Sequence, residues 1–135
     1  MTASLLYRIA SVLLLIFAIG NTFVFRRTYP KWGVDSVVGA MRNTHFEIQG
    51  LNRTFWDFYT GFGLFTTVFL LFAAVLAWQL GNLSKDQLRS LSVVTWALAL
   101  CLVSISVLSC KYFLVTTAAA YSLAAFLLVM AEILA

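Results

Sequence analysis

Residues 45 to 59 hold the densest set of side chains in this chain that could move a proton or orient an anion. His45, Glu47, Asn52, Arg53, Asp57 and Tyr59 fall within fifteen positions of a sequence that is 62% hydrophobic and only 10% charged. Asp57, His45 and Glu47 are the acid–base candidates, with Arg53 as an anion-binding or orienting group. Ionisable groups at a membrane edge are costly, which invites a functional reading. Each also has a structural reading. Thr54-Phe-Trp-Asp57 matches a T-x-x-D variant of the helix capping box, and Arg53 and Asp57 stand four apart, the spacing of a helical ion pair. A lone histidine on an apolar face is more often packed than catalytic. On a helix, His45 and Glu47 cannot share a face, and one histidine with scattered carboxylates is a poor metal set. No metal or cofactor is expected. As ligand-binding candidates the stretch offers Asn52, Arg53, Trp56 and Tyr59, joined by Phe58, Phe62 and Phe65.

These residues must be positioned by the elements around them, and composition sets the class. The chain has 135 residues and a mean hydropathy of +0.95, whereas soluble domains are about 45–50% apolar and about 25% charged. Several apolar runs reach the roughly 20 residues that span a bilayer core. The expected fold is all-α, a single membrane domain over 1–135. It is a four-transmembrane-helix bundle with a short interfacial helix between helices 1 and 2. The helices cover about 5–25, 55–80, 85–109 and 112–134, and an interfacial connector covers 26–53. The first run is too long for a signal-peptide core and has no small-x-small site before Arg26, so it is read as retained.

Ser4, Ser11 and Ala18 recur every seven residues on the first helix, a stripe where a neighbour can approach closely. Pro30, the only proline, breaks the chain after it. In the connector, Asp35 can cap a short helix whose face carries Val34, Val37, Met41, His45 and Ile48. The segment His45-Phe-Glu-Ile-Gln49 also fits strand alternation, so its conformation stays open. Gly50 ends it. The second helix carries two stripes. Phe58, Phe62, Phe65, Phe69 and Phe72 form an aromatic face toward lipid or an apolar cavity. Thr60, Gly63, Thr67, Ala74, Ala77 and Gly81 form a small face toward another helix. Ser84-Lys-Asp-Gln87 is a second capping box, with Leu83 and Leu88 as its hydrophobic staple. From Leu88 onward neither Gly nor Pro occurs, so a tight reversal is placed near Ser109–Tyr112. Ala118-x-x-x-Ser122 permits close packing, Glu132 is expected to pair with Arg8, and Tyr121 needs an internal acceptor.

Cys101 and Cys110 lie nine apart, about 13 Å along a helix, too far for a disulfide whose Cα atoms stay within about 7 Å. Both are read as buried small residues. Of nine basic residues, Arg26, Arg27, Lys31, Arg42, Arg53 and Lys111 fall on the connector side. The positive-inside rule then puts the connector in the cytoplasm. The connector basic residues could bind anionic headgroups or a phosphorylated ligand, although diffuse surface attraction of about 1 kcal/mol each also accounts for them. No basic block interleaved with aromatics sits on a soluble domain, which excludes nucleic acid as a partner.

The phrase Asn52-Arg-Thr-Phe-Trp-Asp-Phe-Tyr-Thr-Gly-Phe-Gly-Leu64, the Phe-rich helix after it and the ending Leu76-Ala-Trp-Gln-Leu-Gly81 resemble a group of small bacterial four-helix membrane proteins of unassigned function. The resemblance covers Phe46 to Asn82. It implies a bacterial inner-membrane location and supplies no activity. From the residues themselves, the leading expectation is a non-enzymatic membrane protein. It would bind lipid, an apolar ligand or a membrane partner, a second copy included. The alternative is a small intramembrane enzyme acting on a lipid-like substrate at the connector face. A channel or transporter is disfavoured because the helix centres lack charge.

Overall fold

The computed structural model describes residues 2–135. Four helices are long and apolar enough to cross a membrane: α1 (Ala3–Val24), α3 (Phe55–Leu80), α5 (Ser92–Tyr112) and α6 (Val115–Leu134). The shortest has 20 residues, about 30 Å of rise, which matches the hydrocarbon core. The chain is therefore an integral membrane protein built of apolar helices. Its residues group into two compact units, and α1 and α3 contribute to both.

The first unit, residues up to Phe17 and from Leu70, is a four-helix bundle held by close approach. Ala10, Ala73, Ala77, Ala99, Ala124 and Ala131 are fully buried, with Leu14, Leu70 and Leu102 filling the space between them. Lipid tails are as apolar as leucine, so helices associate in a membrane through packing and hydrogen bonds rather than a hydrophobic drive. Small residues make that packing close. Ser11 Oγ donates to the Ala74 carbonyl at 2.6 Å, and Ser4 Oγ donates to the Gly81 carbonyl. The small stripes of the first and second apolar helices thus face each other here.

At the end of this bundle the expected Arg8–Glu132 pair does not form. Glu132 instead accepts from the hydroxyl of fully buried Tyr7 at 3.0 Å. Arg8 donates to Asn82 Oδ1 at 2.9 Å and lies over the Trp78 ring. Adjacent positions on a helix are about 100° apart, so Tyr7 points into the core while Arg8 reaches to the rim. Lys85 Nζ donates to the Leu134 carbonyl at 3.2 Å, closing the end of α6.

The third apolar segment is divided. The Ser84–Gln87 capping box forms and starts a six-residue helix, α4 (Lys85–Ser90), but the chain leaves helical geometry at Leu91 before α5 begins. Ser90 donates to the Gln87 carbonyl at 2.7 Å, a local bond that competes with continuation of the helix. The reversal comes slightly later than expected, at the extended pair Phe113 and Leu114. Ser109 is buried. Cys101 is half-buried and Cys110 exposed, so only the first lies partly inside. Tyr121 packs edge-on against Phe17, ring centroids 5.8 Å apart. Ser122 is exposed and shares a hydrogen bond with Ser106 at 2.5 Å.

Candidate functional site

The second unit, Ala18–Phe69, contains the polar stretch. After α1 come a short 3-10 turn (Pro30–Trp32), α2 (Asp35–Asn43), and an antiparallel hairpin of β1 (His45–Ile48) and β2 (Leu51–Thr54) that leads into α3. Asp35 lies in the first turn of α2 rather than at its cap. Val34 occupies the cap position and makes no side-chain cap bond. A charged side chain there still complements the positive end of the helix dipole.

The ambiguity over residues 45–49 resolves to strand. His45 pairs with Thr54, Phe46 with Arg53, Glu47 with Asn52 and Ile48 with Leu51. The two-residue loop Gln49–Gly50 has φ of 52° and 76°, the left-handed pair that a tight hairpin turn requires. Two sequence expectations change with this. His45 and Glu47 do share a face, because strand side chains alternate with a period of two. Arg53 and Asp57 are not a helical pair, because Arg53 precedes α3 and its guanidinium donates to the Asn52 carbonyl at 2.9 Å.

One hairpin face therefore carries His45, Glu47, Asn52 and Thr54. His45 Nδ1 and Asn52 Oδ1 lie 3.0 Å apart. An amide oxygen only accepts, so in this pair Nδ1–H is the donor. With Phe46 and Gly50, His45, Glu47 and Asn52 line an open depression of about 300 Å³. Among the described residues, no three His, Cys, Asp or Glu side chains come together as a metal-ligand group.

The opposite face carries Phe46, Ile48, Leu51 and Arg53. Phe46 docks the hairpin onto the start of α3, 5.1 Å from Phe55 and stacked on Phe58 at 5.9 Å with 6° between ring planes. From Phe58 the stripe runs outward, 40% exposed there, 67% at Phe62 and 71% at Phe65. Phe62 and Phe65 meet edge to face at 6.3 Å. The stripe faces out.

The start of α3 is fixed by the reciprocal bonds expected from the sequence. Thr54 N–H donates to Asp57 Oδ2 at 2.8 Å, and Asp57 N–H donates to Thr54 Oγ1 at 3.2 Å. Asp57 is thus engaged in capping. Thr54→Ala is expected to cost about 1 kcal/mol, seen as a lower unfolding midpoint by circular dichroism in detergent, with Thr54→Ser restoring most of it. An unchanged midpoint in the alanine variant would show that the cap contributes nothing to the fold.

A second aromatic group, which residue spacing did not reveal, joins α1, α2 and α3. The Arg42 guanidinium lies 4.1 Å from the centre of the Trp56 ring. Trp56 is 5.4 Å from Tyr59, and Tyr59 is 5.7 Å from Phe25. Arg26 lies over the far end of this row, 5.3 Å from the Phe25 ring centre. Tyr59 Oη donates to the Phe25 carbonyl at 2.6 Å, and Arg26 donates to the Thr22 carbonyl at 3.2 Å. The Phe25 ring lies directly over Gly63, where any Cβ would run into it. Below, Asn21 Nδ2 donates to the Gly63 carbonyl at 2.8 Å and to Thr67 Oγ1 at 2.9 Å, and Thr22 meets Thr67 at 3.1 Å. The Thr60 hydroxyl is buried without a partner among the described residues.

Of the sequence candidates, the hairpin thus gathers His45, Glu47 and Asn52. Trp56 and Tyr59 join the aromatic row. Phe58, Phe62 and Phe65 form the outward stripe. The sequence reading missed Phe46 and Phe25 as the rings that link these groups. Their only signal was aromatic type beside a helix end, since their contacts depend on strand register and on pairing across 34 residues. No family model, curated protein or solved structure matches the chain.

Proposed function

We propose that this protein binds membrane lipid along the aromatic track headed by Phe46 and Phe58. The observation that carries the reading is the parallel stack of those two rings, which joins the hairpin to the open Phe62 and Phe65 faces. Exposed rings alone would say little, because every outer face of a membrane helix meets lipid. Here the hairpin adds a polar head to the track. Arg53 shares the face of Phe46, with Asn52 beside it in the chain. An acyl chain would lie on the rings and a polar headgroup at the hairpin. In this reading α2 and the hairpin sit at the interface, the membrane is a bacterial inner membrane, and the connector faces the cytoplasm.

The acid–base alternative has less support. Asp57 is held in the helix cap and Arg53 by a backbone carbonyl. His45 and Glu47 face an open depression, so nothing around them excludes water.

Native mass spectrometry of the detergent-solubilised protein tests lipid binding. The wild type is expected to retain lipid. The double variant Phe62→Leu with Phe65→Leu, which stays apolar but loses both rings, should retain at least threefold less, since each flat ring offers an acyl chain more carbon–carbon contacts than a leucine does. A wild-type protein that flies without lipid, or as a complex with a second copy covering these rings, defeats the proposal.

A further inference from the structure

We propose that the two ring-held guanidiniums, Arg42 over Trp56 and Arg26 over Phe25, select anionic phospholipids by each holding a headgroup phosphate at its own end of the aromatic row. The inference rests on the reading above that the protein binds membrane lipid, and adds a second contact, on the face of α3 that carries Trp56 and Tyr59 rather than Phe58, Phe62 and Phe65. Each guanidinium lies over a ring, 4.1 Å from its centre for Arg42 and 5.3 Å for Arg26, and a ring engages only part of its five N–H groups, which leaves the others for a second partner. Arg26 directs one such group to the Thr22 carbonyl, which fixes its position without neutralising it. Arg42 rests on a ring that is itself half-buried and packed on Tyr59. Both cations are thus placed before any ligand arrives, which lowers the ordering cost of binding. Their planar forks match a phosphate better than an ammonium does.

The local charges favour an anion. Five cations in this unit, Arg26, Arg27, Lys31, Arg42 and Arg53, stand against three acids, Asp35, Glu47 and Asp57. Asp57 is engaged in the helix cap. Glu47 lies on the hairpin face opposite Phe46 and Arg53. Asp35 is seven residues before Arg42, about 10 Å along the α2 axis. Trp56 and Tyr59 lie in the first two turns of α3, Phe25 directly follows α1, and Tyr29 packs edge-on against Trp32 in the adjoining segment at 5.0 Å. Such aromatic and basic residues cluster at headgroup level. Lipid phosphates lie at that level, one within reach of each arginine, so the proposal commits to phospholipid rather than a soluble phosphate ester.

The discriminating experiment offers the full-length protein, in neutral detergent, an equimolar mixture of phosphatidylglycerol and phosphatidylcholine and counts bound lipids by native mass spectrometry. The wild type is expected to prefer phosphatidylglycerol at least fivefold. Arg42→Ala and Arg26→Ala should each reduce that preference about fivefold, the loss of a charge-assisted hydrogen bond to phosphate, with the total lipid bound nearly unchanged. Arg42→Lys separates stacking from diffuse charge: it keeps the charge and should still lose most of the preference. Excess glycerol 3-phosphate should not displace the lipid. A wild type that takes both lipids equally overturns the headgroup assignment while leaving lipid binding intact. An Arg42→Lys protein as selective as wild type, or displacement by glycerol 3-phosphate, also overturns it. Retention of neither lipid removes both readings. The Phe62→Leu, Phe65→Leu protein should lose total lipid and keep the preference, so the two contacts are read separately.

Discussion

Tyr7→Ala is expected to destabilise the first unit by about 3 kcal/mol, the lower end of the range for core aromatics. Tyr7 has no exposed surface and its hydroxyl is the donor to Glu132. Truncation leaves a ring-sized void among close-packed helices and removes that donor. The lower end applies because a membrane core gains little from transfer out of lipid, so the cost is mainly lost packing contacts and the lost hydrogen bond. Tyr7→Phe separates the two, since it keeps the ring and should cost only about 1 kcal/mol. Steric-trapping or detergent-denaturation curves measure both. Equal losses for the two variants would mean that the hydroxyl carries the effect, and packing around Tyr7 would then matter little.

Gly81→Val should cost about 1–3 kcal/mol, the range for overfilling a packed core. Gly81 has no unusual backbone angle that requires glycine; the constraint is space. Even one added Cβ would stand 2.9 Å from Arg8 Cγ, 3.1 Å from the Ser4 carbonyl oxygen and 3.3 Å from the Trp78 carbonyl oxygen. The Arg8 stem can swing away, but the backbone of α1 cannot move without disturbing the Ser4 hydroxyl, which donates to the Gly81 carbonyl. The branched side chain makes both demands larger. The same denaturation assay applies, and a variant as stable as wild type would show that α1 and α3 are not closely fitted at this end. Gly81→Ala should fall between the two.

The apolar helices were readable from composition because crossing a bilayer requires length and hydropathy, and both are local properties. The two capping boxes were readable for a similar reason, since each closes within four residues. The break at Leu91 was not, because no Gly or Pro marks it and the apolar pattern continues across it. Tyr7 with Glu132 was also hidden. Charge alone pairs Glu132 with Arg8, but the 100° between successive helical residues gives the core position to the neutral neighbour. The candidate site was half legible. Its residue types were visible in one stretch, yet their sides were not, because helix and strand readings of 45–49 place His45 and Glu47 on different or equal faces. The row from Arg42 through Trp56 to Phe25 draws on three elements, and no spacing rule within one element can anticipate it.

The hairpin register has a consequence for how this region can vary. Its two faces separate a histidine–carboxylate surface from the ring that anchors it to α3, and the separation rests on parity. A strand that slips by one residue turns every side chain over. Phe46 would then swing out to water and Glu47 in toward Phe58. Residues added between Asn43 and His45 leave the pairing set by the Gln49–Gly50 turn in phase, whereas a single residue added between Phe46 and Ile48, or between Leu51 and Arg53, turns over the side chains beyond it. Within the two strands, tolerance to insertion is therefore governed by odd and even rather than by size.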